Sequence, residues 1–199
     1  AVAQANVTGD NNAQDNGAVA QANVTGDNDA DNNGVAIQGN VEGDNWANGN
    51  DGVGQANGSG NNIAINNGDV GQSNVTGGNA AVNSDHAVQI NSSGENVALG
   101  NDLAAQANVL GDNHANGNDE VAQGNFGGDN HATGNGSVGQ GNLVGANNAN
   151  DNGDVSQINN YGDNNAEGND SAGQLNFEGD NNATDNDGVT VQVNHNGEN

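Results

Sequence analysis

Neither Lys nor Arg occurs in the 199 residues, so 26 Asp and Glu carboxylates stand uncompensated and the formal net charge is −26. A chain without cationic side chains has nothing to set against phosphate, which excludes nucleic acid and anionic membrane surfaces as partners and leaves cations as the natural ones. Cysteine is absent as well, which removes disulfides and thiolate metal sites and leaves the redox compartment open. No apolar run is long enough for a membrane span or a secretory leader, so membrane insertion is not expected. Met is also missing, and a chain that begins at the first position of a repeat reads as a processed mature protein. Aromatic residues make up 2% of the chain, and an acidic, aromatic-poor composition is the signature of a disordered polymer. Disorder, however, does not require one residue type at fixed intervals.

Such intervals are what the sequence contains. Gln recurs every 17 residues from Gln4 through Gln21, Gln38 and onward to Gln174, with no slip. If each repeat starts where Ala1 does, Asn fills column six, Gly column nine, Asn column eleven and Ala column thirteen in all 11 repeats. Column two is Val or Ala, column sixteen is Asn except at Ser84, and column seventeen is Gly or Asp. A fixed period of this kind marks units that stack on their neighbours into one elongated body. The expected organisation is a single domain over 1–199, with 11 full repeats (1–187) and a partial twelfth (188–199).

Within a repeat, Val2, Gln4 and Asn6 alternate with Ala3, Ala5 and Val7, the period of a strand. Thr8-Gly9-Asp10 supplies a turn, Asn11 to Gln14 alternates again, and Asp15-Asn16-Gly17 closes the coil. A helix is excluded by the two-residue alternation and by the abundance of Gly, Asn and Val. The fold class is therefore all-β, a β-solenoid with one two-strand coil per repeat. Coils stack in parallel about 4.8 Å apart over roughly 55 Å. The uniform columns are expected to face inward: Gln4, Asn6, Asn11 and Ala13 in the first coil, Gln89, Asn91, Asn96 and Ala98 in the middle. So little hydrocarbon is buried that stacked amides must supply the specificity, and an amide without its partner costs about 1–3 kcal/mol. The last coil carries one extra residue in Asn186-Asp187-Gly188, a turn where an insertion costs least. Neither end shows a capping element, so the chain reads as built to stack end to end.

Outward columns vary. Columns three and five hold small and branched apolar residues, suited to lying flat on a second solenoid. Ile63, Ile65, Val82, Val97 and Leu99 would line up on the opposite side as a lateral contact, with Trp46 in the same column twelve.

Nothing in the sequence assembles a catalytic site, and the chain reads as a non-enzyme with no required cofactor. His114 and His131 fall in column twelve of adjacent coils, where they either share a metal or stand as two surface residues. Asp10, Asp27 and Asp44 in column ten, and Asp85, Asp102 and Asp119 in column seventeen, form like-charged runs whose oxygens suit Ca²⁺. The other reading of these runs is a solvated acidic surface.

The stretch Gln4-Ala5-Asn6-Val7-Thr8-Gly9-Asp10-Asn11-Asn12-Ala13, recurring to Gln174 and Ala183, resembles the Gln-x-Gly-x-x-Asn-x-Ala repeat of curlin, the curli fibre subunit family. Asn6 stands at the curlin Gly and the turn is two residues longer. The resemblance implies an extracellular, amyloid-like fibre of biofilm matrix and adhesion, with amide ladders inside. The leading expectation is thus a secreted homopolymer, bundled laterally or not. A calcium-binding segment of a large surface adhesin is the second reading. An ice-binding solenoid is the third, and its Thr column (Thr8, Thr25, Thr76) is interrupted by Glu42, Ser59, Leu110 and Tyr161.

Overall fold

The computed structural model describes residues 1–199. Long and short strands alternate from β1 (Val2–Thr8), β2 (Asn11–Gln14), β3 (Ala18–Thr25) and β4 (Asn28–Asp31) to β22 (Asn181–Thr184) and β23 (Thr190–Asn196). The odd-numbered strands make a 12-stranded sheet and the even-numbered ones an 11-stranded sheet, each in chain order. Pairing is parallel and in register at the repeat period, as in Gln4↔Gln21 and Asn11↔Asn28, so every column stacks on itself. There is no helix. The fold is a β-solenoid of about eleven turns.

Two turns bend each coil, and each uses one conformation that restricts the residue. Column nine is Gly throughout because its φ lies between 110° (Gly9) and 141° (Gly94) in the full repeats. A Cβ there would also overlap the carbonyl oxygen of the glycine one coil earlier, as between Gly26 and Gly9. Column fifteen is left-handed in all 11 repeats, with φ from 51° to 66°, and holds only Asp, Asn or Gly, the residues that tolerate that region best.

The inserted residue near Gly188 changes the pairing offset without breaking the ladder. Gln174 pairs with Gln192 and Asn176 with Asn194, one residue beyond the usual spacing. Side chains alternate strictly: in β3, Val19, Gln21 and Asn23 are buried, while Ala18, Ala20, Ala22 and Val24 are exposed. The core between the sheets is Val or Ala of column two against Ala of column thirteen, flanked by amides.

Candidate assembly interface

The amides of the core connect the coils side chain to side chain and also through bonds to the backbone. Gln89 Nε2 donates to Gln72 Oε1 of the preceding coil at 2.9 Å and, across the core, to the Val97 carbonyl at 2.9 Å. That second bond sets the amide orientation, because only its NH₂ end can face a carbonyl. The Asn ladder runs the other way. Asn96 Nδ2 donates to Asn113 Oδ1 of the following coil at 3.0 Å, to Asn108 Oδ1 at 2.8 Å and to the Ala107 carbonyl at 3.1 Å. Asn91 Oδ1 receives Asn79 Nδ2 at 2.7 Å, and Asn91 Nδ2 donates to the Glu95 carbonyl at 2.8 Å, closing the turn. Ala98 is buried beside them. In the first coil Asn11 and Ala13 are buried, whereas Gln4 is half-buried and Asn6 exposed, since no coil lies over them.

A third ladder occupies column sixteen, where the sequence suggests only turn chemistry. Asn118 is buried, its Nδ2 donates to Asn135 Oδ1 at 3.0 Å, and its backbone N–H donates to the same oxygen at 2.9 Å. The near-uniform Asn of that column was the available signal. Ser84 interrupts it: its buried Oγ has no partner, and Asn67 Nδ2 is left with the Ala47 carbonyl alone. Ser84→Asn is therefore expected to rejoin the ladder and stabilise the fold by about 1–2 kcal/mol, read as a rise in the denaturation midpoint. An unchanged or lower midpoint would show that the site cannot accept the larger side chain. Column six changes its pattern in the last three coils: Asn159, Asn176 and Asn194 donate to the Gly145, Gly162 and Gly179 carbonyls, and their Oδ1 atoms have no partners. No neighbouring residue explains that switch.

No family model, curated protein or solved structure matches this chain.

Column ten has a structural role that its acidity conceals. Asp10 Oδ1 accepts the Asp27 backbone N–H at 3.0 Å, Asp27 accepts that of Asp44 at 2.8 Å, and Asp44 accepts that of Asn61 at 2.7 Å. Asn61 serves equally, accepting from the Gly78 N–H at 2.9 Å, so the bond needs a side-chain oxygen and not a charge. The six aspartates singled out for calcium, Asp10, Asp27, Asp44, Asp85, Asp102 and Asp119, are not brought together in a group of three ligands. The one group that converges is Glu95, Asp112 and His114, whose ligating atoms lie within 4.8 Å of one another. His114 stacks on His131 with ring centroids 4.9 Å apart and planes 5° apart.

On the outer face of the short-strand sheet, Ile63 pairs with Ala80 and Ile65 with Val82, and Ala80 and Val82 pair in turn with Val97 and Leu99. The five apolar residues form a short strip, half-buried except for the more exposed Leu99. Trp46 is 41% exposed beside it. On the same face Asp29 has its carboxyl pushed up by partial burial, to which the charge of Asp31 adds.

His86 Nδ1 lies 2.7 Å from Asp69 Oδ1 of the preceding coil. That hydrogen bond raises the imidazole pKa above its ordinary value, with the charges of Asp69, Asp85 and Asp102 adding to it against some desolvation. The folded value thus exceeds the unfolded one, so any stabilisation is complete below the ordinary imidazole pKa and disappears as pH rises through the raised one. A proton NMR titration is expected to give His86 a raised midpoint, and Asp69→Asn should lower it. A midpoint unmoved by Asp69→Asn would break the assignment.

Proposed function

We propose that this chain is the structural subunit of a self-assembling extracellular fibre, a matrix and adhesion material in which copies stack end to end along the solenoid axis. The supporting observation is the uniform polarity of the ladders. Each coil donates its Gln amide backward and its column-eleven Asn amide forward, so every coil offers the next what it received from the last. A contact of that kind is heterologous, and a heterologous contact that does not close into a ring produces a filament. The likeness to the curlin repeat supports the same assembly and its extracellular setting.

Charge works against assembly, because stacking concentrates 26 carboxylates with no cation among the side chains. Added salt, which screens the carboxylates, or acid, which neutralises them, is therefore expected to speed growth. Electron microscopy of the purified protein should show unbranched filaments, and fibre diffraction a strand spacing of about 4.8 Å along the axis. Isolated single-chain particles at every concentration, salt and pH would overturn the proposal.

A further inference from the structure

The middle of the outer face of the 12-stranded sheet is an acid-free band on this acidic chain, bordered by Asp69, Glu120 and Asp154 of column one and by Glu42 and Glu178 of column eight. Columns three, five and seven point outward from it, and over all twelve coils none of their residues is Asp or Glu; His195 alone can ionise. Large apolar side chains lie open there, among them Ile37, Ile90, Phe126, Ile158 and Phe177. Its size follows from strand geometry: twelve strands about 4.8 Å apart, and a width of roughly 18 Å from column three to column seven with their side chains, come to about 950 Å². Two copies in contact would bury about 1,900 Å², within the range of stable, specific interfaces. For a chain of charge −26, this is also the face on which a second copy meets least repulsion.

The residues of the face are matched in size in one particular way. Where column seven is large, column three of the same coil is small: Phe126 with Ala122, Leu143 with Gly139, Phe177 with Gly173. Where column three is large, as at Val88, column seven is Ser92. A two-fold axis parallel to the solenoid axis and lying over column five puts column three of one copy opposite column seven of the other at the same level. It also puts the acids of column one, such as Asp69 and Glu120, opposite the column-nine glycines of the partner. A two-fold along the strands would instead set column three on column three and column one on column one, stacking small on small and acid facing acid. Ile37 with Val41, Gly54 with Gly58 and Val191 with His195 are the levels without this compensation.

We infer that two copies of this chain pair face to face through the outer surface of the 12-stranded sheet, with their solenoid axes pointing the same way and column three of each seated against column seven of the other. The interface is isologous and closes on itself, leaving the coil edges at both ends free. The pairing goes beyond fibre growth and does not depend on it: a soluble dimer without filaments would retain this inference and remove the end-to-end reading, and single-solenoid filaments would do the reverse.

Introduced thiols test the geometry, since the chain has no cysteine of its own. One preparation carries Gly139→Cys and another Leu143→Cys, both at outward positions; the two are mixed and treated with a short thiol-reactive bifunctional cross-linker, because sheets packed face to face lie about 10 Å apart, beyond the reach of a direct disulfide. Same-direction pairing predicts a cross-link between the two variants and little within either alone, because identical columns are displaced by a further ~13 Å along the strands. Gly141→Cys, in the column on the axis, should cross-link with itself. A second measurement uses Gly124→Asp with Gly141→Asp, at glycines where an added Cβ meets nothing within 4 Å. Sedimentation under conditions that prevent filament growth should show the two-chain mass for the parent and half that mass for the charged variant, with an unchanged circular dichroism spectrum. A parent that sediments as one chain at all concentrations, or cross-links confined to Gly139→Cys with itself, would overturn the inference.

Discussion

Asn96→Leu is expected to cost roughly 3–6 kcal/mol, a large part of the stability of an ordinary domain. Leu has the branched four-heavy-atom shape of Asn with bulkier methyl ends, so the loss does not come from a cavity. It comes from the groups left behind. Asn113 Oδ1 and Asn108 Oδ1, both buried, each lose their donor, and Asn79 Nδ2 loses one acceptor. An oxygen stranded in a dry core cannot recover its bond from water, and each such loss amounts to about 1–3 kcal/mol. Because each coil touches only its neighbours, the damage should divide the stack into two halves that melt separately. Asn116→Leu, on the exposed outer face one column beyond Ala115, should stay within about 0.5 kcal/mol. Denaturant unfolding of both variants checks the pair, and equal shifts would mean that the ladders contribute no more than surface amides.

The second large effect concerns the glycine turn. Gly111→Ala forces a side chain into φ 128° and against the Gly94 carbonyl one coil away, a distance fixed by the spacing of the stack. Backbone strain of this kind costs about 1–3 kcal/mol, and the overlap can be relieved only by opening the coils. A total of roughly 3 kcal/mol or more is expected, with loss of the folded state in the weaker cases. Gly124→Ala is the matched control. Its site is an open strand position with nothing within 4 Å, and Ala should stabilise it by about 0.5 kcal/mol. Thermal melts that rank the two variants alike would disprove the requirement for glycine in column nine.

The repeat period, the two-strand coil, the parallel stacking and the absence of helix were all legible in the residues, and for one reason. Identical units placed side by side have to pair like with like, so an unbroken 17-residue period specifies the register of every strand once the alternation has assigned the faces. The insertion at Asn186-Asp187-Gly188 was legible on the same ground, because Gln192 and Asn194 resume their columns after it.

What the tertiary structure alone decided concerns groups whose role depends on the coil above or below. Column sixteen looks like turn chemistry in one dimension and becomes a buried ladder because the chain folds Asn118 back under Ala98, donating to its carbonyl at 3.2 Å. Column ten reads as a row of acidic surface oxygens, and only the stack shows that one oxygen of Asp27 is bound to the Asp44 N–H of the next coil, a partner that exists only after folding. The Asp, Asn or Gly of column fifteen reads as generic turn composition until its left-handed φ shows why no other residue appears. Periodicity by itself states which residues share a column; only the path of the backbone between columns determines which of their polar atoms meet, and so which of them are core and which are surface.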